Sequence, residues 1–283
     1  MLRKLINRFT CNEKQLPLII NKLHKNNLYP IFDYINENNK NHYNNFKVIK
    51  KTIEKYPNNY FAIKCSSLNI DNDYNLAKTY IEELSELSIS NNSKLLIDAE
   101  NYLIQNDINI LSDYLIKKYN KTDTHIYKTY QAYRTDCYQS LTNDIDLRNI
   151  SNDYFLGVKL VRGAYYNSDI EHNILFDMKK KTDLEYDKCA LYFMKNCHDN
   201  DKLMIASHNE NSIEKCDNIK NILCLNNIEY AQLMGMSDSL SINLAKYNKT
   251  FKYVPYGSYI ESIPYLLRRL NENKSLITHL YKL

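Results

Sequence analysis

A (β/α)8 barrel of the α/β class is the architecture this sequence predicts, on two observations. Eight strand-like segments alternate with helix-compatible stretches over about 250 of its 283 residues, the length and rhythm of that fold. The strand-like segments also finish in polar residues, as expected of a barrel whose functional face lies at the strand ends. A doubly wound open sheet is the second reading, but no GxGxxG follows any strand.

In chain order the predicted strands are Tyr29 to Tyr34, Tyr60 to Cys65, Lys94 to Asp98, His125 to Gln131, Tyr154 to Val161, Lys202 to Ser207, Ile228 to Leu233 and Thr250 to Val254. Each is a short run rich in β-branched and aromatic residues. Helix-compatible stretches between them include Tyr74 to Leu87, Ile108 to Tyr119, Glu185 to Cys197 and Ser212 to Leu223. The Asn-rich run Asn36 to Asn45 reads as a surface loop. No linker divides the chain, so residues 1–28 are expected as a helical N-terminal segment and 29–283 as a single barrel domain.

Composition narrows the function. Net charge is +4 without a strongly basic block, which gives nucleic-acid binding no support. No apolar run reaches the 18 residues of a spanning helix. Seven cysteines without a CxxC pair read as reduced thiols of an intracellular, cytoplasmic protein, and no metal site is expected. The basic start MLRKLINRF leaves a mitochondrial location as the lesser reading. Asn, Lys, Ile and Tyr are abundant while only four glycines occur, the pattern of a very A/T-rich coding sequence. Glycines that persist under that pressure (Gly157, Gly163, Gly235, Gly257) are expected where backbone must adopt positive φ or approach a ligand.

The strand ends carry Asp33, Lys64, Asp98 with Glu100, Gln131, the run Lys159 to Tyr165, Ser207-His208-Asn209, Gln232 and Tyr253. Lys64 shares a strand face with Ala62, so it is directed into the barrel, where an unpaired charge costs several kcal/mol; a carboxylate or anion is therefore expected beside it. Any one of these residues reads equally as a satisfied core polar group. Together, at equivalent positions, they read as a site. Farther on, Val254 to Asn273 holds the adjacent arginines Arg268 and Arg269 on an amphipathic helix. Ile260, Ile263, Leu267 and Leu270 are its expected core face, Ser262 its N-cap, and Pro264 falls in its first turn. Two neighbouring guanidinium groups suit a small carboxylate lying across both, or else a solvated cluster bridged by Glu272.

These residues carry a resemblance. KLVRGAYY (159–166), KTDLEYDKC (181–189), ASHNE (206–210), AQLMGMSD (231–238) and YLLRRL within the last helix, with IFDYINE (31–37), AIKCSSL (62–68), LLIDAE (95–100) and TYQAY (129–133) in order before them, resemble the flavin-dependent proline dehydrogenase family. The resemblance runs from about Ile31 to Asn273. It implies FAD-dependent oxidation of L-proline to Δ1-pyrroline-5-carboxylate on a distorted barrel whose last helix lies over the strand ends. It implies further that Arg268, Arg269 and Lys64 hold the proline carboxylate, that Tyr165, Tyr253, Tyr265 and Leu233 wall the ring, and that Asp98 and Glu272 support them. Lys159 matches the basic residue near flavin N5, and Gln131, Val161, Arg162, Gly163, Ser207, His208, Asn209 and Gln232 match cofactor-contacting positions. Reoxidation by a quinone, with peripheral membrane contact, is implied as well. The sequence departs from the family at Asn36, where glycine is usual, a change expected to alter a loop beside the cofactor, and at Ser207 for threonine and Met234 for histidine, changes expected to alter flavin affinity or tuning without abolishing binding. Lys64 and Lys159 near strand ends keep a Schiff-base aldolase in view, and a non-catalytic barrel is the third reading. Within the family the alternative substrate is 4-hydroxyproline, against which Tyr253, filling the space of a ring hydroxyl, is expected to select.

Overall fold

The computed structural model describes residues 2–35 and 41–272, without the side chains of residues 2–5, 264 and 268–272. Two helices, α1 (Leu2–Phe9) and α2 (Leu16–His24), lead into β1 (Leu28–Tyr34). There follow α3 (His42–Lys55), β2 (Tyr60–Ile63), α4 (Tyr74–Ser90), β3 (Lys94–Ile97), α5 (Tyr102–Tyr119), β4 (Ile126–Gln131), α6 (Cys137–Ser151) and β5 (Gly157–Val161). The chain continues through the short α7 (Tyr166–Asp169), α8 (Lys179–Asn196), β6 (Lys202–Ala206), α9 (Glu210–Ile222), β7 (Ile228–Leu233), α10 (Asp238–Leu244), β8 (Thr250–Tyr256) and α11 (Tyr259–Glu272). The eight strands pair in parallel in sequence order and β8 closes on β1, so the predicted barrel is the observed one.

Alternation along the strands sorts the side chains. Ile31, Ala62, Leu96, Tyr127, Met204, Ala231 and Tyr253 point into the barrel and form its inner core. Phe32, Leu95, Ile126, Val158, Leu203 and Tyr230, one residue out of phase, face the helices and join the larger outer core. At the N-terminal end Glu229 fills the interior, accepting hydrogen bonds from Tyr60 (2.7 Å) and Tyr127 (2.9 Å), with Lys249 at 3.1 Å. That buried carboxylate is satisfied on every side, as its burial requires.

Helix starts follow local chemistry. Asp73 caps α4 through the Leu76 amide (3.0 Å), and Asn209 caps α9 through the Ser212 amide (3.2 Å). Asn41 likewise accepts from the Asn44 amide (3.0 Å), so α3 starts at His42, inside the Asn-rich run expected as loop; residues 36–40, Asn36 among them, lie outside the described residues. The last helix departs from expectation in two ways. Ser258 and Glu261 form a reciprocal capping box, in which the Ser258 amide donates to the Glu261 carboxylate (2.8 Å) and the Glu261 amide to the Ser258 hydroxyl (3.3 Å). Helix α11 therefore begins at Tyr259, Ser262 lies within it with its hydroxyl donating back to the Ser258 carbonyl, and Pro264 falls beyond the first turn. The expected core face is also reversed: Ile260 and Leu267 are 78% and 57% exposed, whereas Ser262 and Tyr265 are buried. The side chain of Leu270 lies outside the described residues.

Candidate active site

Strand ends deliver a four-charge cluster into the mouth of the barrel. Asp33 at the end of β1, Lys64 after β2, Asp98 after β3 and Lys159 on β5 converge there, two cations against two carboxylates. Lys64 donates to Asp33 through a short contact and lies 3.9 Å from Asp98. The anion expected beside Lys64 is thus supplied by the protein itself. Lys159 donates to the other Asp98 oxygen at 2.6 Å and sits 4.5 Å from the centre of the Tyr253 ring, whose hydroxyl also donates to Asp98. Asp98 consequently joins both lysines and a phenol. Burial alone would raise its pKa, but the ammonium groups of Lys159 and then Lys64 outweigh burial and hold the carboxyl below its ordinary value. Burial opposes the charge on Lys64 too, yet Asp33 and Asp98 raise its pKa on balance. Burial, then Asp33 and Asp98, pushes the Tyr253 hydroxyl well above the ordinary tyrosine value, so it remains a hydrogen-bond donor.

Beside this cluster opens a cavity of about 570 Å³, within the size range of cofactor sites. Gln131, Lys159, Val161, Arg162, Gly163, Ser207, His208, Asn209 and Gln232, all singled out from the sequence as cofactor-contacting, line it, as do Lys64, Asp98, Tyr165, Leu233 and Tyr253. Tyr265 is buried within electrostatic reach of Lys64 and Tyr253 but is not among the lining residues. The side chains of Arg268, Arg269 and Glu272 lie outside the described residues.

Several lining groups are tightly held. Arg162 spreads its guanidinium over Asp183 (2.7 Å), Ser207 (2.6 Å) and Ser212 (2.9 Å), against the ring of Tyr186, and so braces the start of α9. His208 accepts the Leu233 amide on Nε2 at 3.0 Å, which makes its ring neutral with the proton on Nδ1. Gln131 donates to the Glu100 carbonyl (2.9 Å), and Gln232 accepts from Ser241 (3.0 Å). Gly163 adopts φ +129°, and a Cβ there would lie 2.4 Å from the Tyr133 ring, which is itself fixed by a 2.7 Å bond from its hydroxyl to Asp169. Among the described residues the buried Thr129 hydroxyl has no hydrogen-bond partner although it faces the cavity.

Sequence reasoning passed over Thr129, Met236 and Lys179, which also line the cavity. Thr129 was within reach of it, since it alternates with Tyr127 and Gln131 on the inward face of β4. Met236 and Lys179 sit outside the strands, where period 2 carries no information.

A parallel barrel with a charged cavity at its strand ends is the frame of an enzyme of the α/β class. A family model described as proline dehydrogenase matches residues 19–280 of the chain, which therefore belongs to the proline dehydrogenase family. Among curated proteins, proline dehydrogenase 1 (mitochondrial) of Dictyostelium discoideum is 35% identical over 214 residues, covering 70% of this chain and 37% of that protein. Mouse hydroxyproline dehydrogenase is 32% identical over 206 residues, 65% of this chain and 44% of that protein. The chain thus spans well under half the length of these relatives. A likeness in fold extends to proline utilization A of Bdellovibrio bacteriovorus, described as inactivated by N-propargylglycine, with TM-score 0.84 at 18% identity, covering 96% of this chain and 33% of that one. No helix among the described residues is long and apolar enough to cross a membrane.

Proposed function

We propose that this chain carries out the FAD-dependent oxidation of L-proline to Δ1-pyrroline-5-carboxylate. The observation that carries the reading is the Lys64–Asp98–Lys159 cluster with Tyr253, opening into a cavity lined by every flavin position taken from the sequence. The residues fit the cofactor on structural grounds. Among the described residues the Thr129 hydroxyl facing the cavity lacks a partner, and the N-terminus of the 13-residue α9 adjoins the lining residues Ser207 to Asn209, where the helix dipole favours a diphosphate. A bound flavin would supply the two-electron acceptor for a hydride leaving proline C5.

The chain's own residues bind and orient. Lys64, Arg268 and Arg269 hold the substrate carboxylate, with Glu272 supporting the arginines; Tyr165, Tyr253, Tyr265 and Leu233 enclose the ring. Asp98 holds the Lys159 ammonium in place, where it would serve as a hydrogen-bond donor to a bound flavin and stabilise negative charge on it. Both carboxylates of the cluster are engaged by cations, so the substrate amine loses its proton to solvent rather than to a dedicated base. Electrons leave to a quinone-type acceptor, which brings with it a peripheral membrane contact, and the mitochondrial names of relatives extend to this chain as a proposal of compartment.

Absorbance spectra of the purified protein before and after anaerobic proline test the reading. Flavin bands that bleach are expected; a protein that stays colourless after incubation with excess FAD would sink it. The similarity to mouse hydroxyproline dehydrogenase favours one second reading, 4-hydroxyproline as substrate. Tyr253→Ser should shift the ratio of kcat/KM values toward hydroxyproline, whereas an unchanged ratio removes Tyr253 from the ring pocket.

A further inference from the structure

Helix-facing residues of a barrel strand are normally apolar, yet the outer face of β8 carries Lys252, 2% exposed, between the inward-facing Phe251 and Tyr253. Its ammonium donates to the carbonyl oxygens of Met236 (2.5 Å) and Leu233 (3.4 Å) and pairs with Asp238 at 2.8 Å. All three partners belong to the turn from β7 into α10. A second grip reaches the same turn from the far end of the sequence. Arg8 donates to the Gly235 carbonyl at 3.2 Å, and Phe9 packs on Met236 with Leu233 and Leu266 against them. The N-terminal segment lies so close that a Cβ on Gly235, whose φ is +80°, would stand 2.5 Å from the Arg8 carbonyl oxygen and 2.9 Å from the Phe9 ring. Leu233 and Met236, the first and last apolar residues of the turn, line the cavity.

We propose that Lys252 is a positioning residue for the substrate pocket, holding the β7–α10 turn against Arg8 and Phe9 so that Leu233 and Met236 form a fixed wall. The proposal rests on the functional reading above. A turn of this kind, with positive φ at Gly235, directs carbonyls away from the strand ladder, and the buried ammonium bridges two of them: that of Leu233, which also accepts the Met236 amide (3.2 Å), and that of Met236. Methionine matches the length of lysine but donates nothing, so its introduction frees the turn while keeping the volume.

The test is steady-state kinetics on flavin-loaded Lys252→Met, with hydrogen exchange of the 233–237 amides measured on the same samples. Misplacement of a pocket wall predicts that KM for proline rises roughly tenfold while kcat changes less than about threefold. Discrimination against the six-membered-ring homologue of proline should fall as the wall loosens, an effect that general destabilisation does not produce. Asp238→Asn and Phe9→Ala, which each remove one support, should move KM and discrimination in the same direction by a smaller factor. KM and ring-size discrimination within about twofold of wild type in Lys252→Met overturn the proposal; if that variant does not fold, the same result in both Asp238→Asn and Phe9→Ala overturns it. Should proline fail to reduce the wild-type protein, the functional reading falls separately, and the exchange data decide the grip: unchanged protection of the turn refutes it.

Discussion

Replacing Asp98 by asparagine removes the one carboxylate within ion-pair distance of Lys159 among the described residues, while leaving Lys64 its contact with Asp33. The pair is buried, 7% and 12% exposed, so breaking it strands an ammonium in a low-dielectric site, a change that costs about 3–5 kcal/mol. For a domain of this size that corresponds to a fall in Tm of roughly 6–20 °C. Lys159→Met should cost less, because Asp98 then keeps the Tyr253 hydroxyl and the more distant Lys64. The double variant should recover much of the loss, giving a coupling of about 2 kcal/mol in a double-mutant cycle followed by urea denaturation. The folded-state pKa of Asp98 is depressed, so its contribution is complete above the ordinary carboxyl value of 3.8 and is lost as pH falls through the lower folded value. The stability gap between wild type and Asp98→Asn should therefore close only below pH 3.8. A coupling within about 0.5 kcal/mol of zero, or a gap that is constant to low pH, would refute the argument that Asp98 is the counter-ion of Lys159.

Arg268→Met and Arg269→Met should each lower kcat/KM for proline by about tenfold to a few hundredfold with flavin content retained, since each guanidinium contributes a charge-assisted hydrogen bond of roughly 1.5–3 kcal/mol; wild-type kcat/KM in both variants would end the carboxylate-clamp reading. Gly163→Ala places a methyl against the Tyr133 ring at a φ of +129°, and the purified variant is expected to retain little flavin by absorbance; full flavin occupancy would contradict the need for bare backbone there. Titration of the native protein with a thiol reagent should modify Cys224 promptly and Cys197 more slowly, because Cys11, Cys65, Cys137, Cys189 and Cys216 are buried; prompt reaction of all seven would show that the helical layer is open.

The rhythm of eight strand-like runs alternating with helix-compatible stretches was enough to read the barrel from the sequence. It located β7 to the residue and the other strands to within a few residues, because parallel barrel strands are buried on both faces and stand out as short apolar runs between polar helices. Within a strand, period-2 alternation turned Lys64 inward beside Ala62 and called for a counter-charge, which Asp33 provides. It also contained Thr129, two residues before Gln131. Helix α11 was not legible in this way. Its apolar stripe of Ile260, Ile263 and Leu267 reads as a core face by spacing, yet Ser262 and Tyr265 are the buried side. That choice belongs to the tertiary structure, because the helix lies near charged strand ends and the N-terminal segment rather than on the apolar outer layer. Spacing along one chain likewise has no access to the bracing of Ser207 by Arg162, or to the grip of Lys252 and Arg8 on the turn after β7. Arg8 and Gly235 are 227 residues apart, and only closure of the barrel between β1 and β8 brings them together.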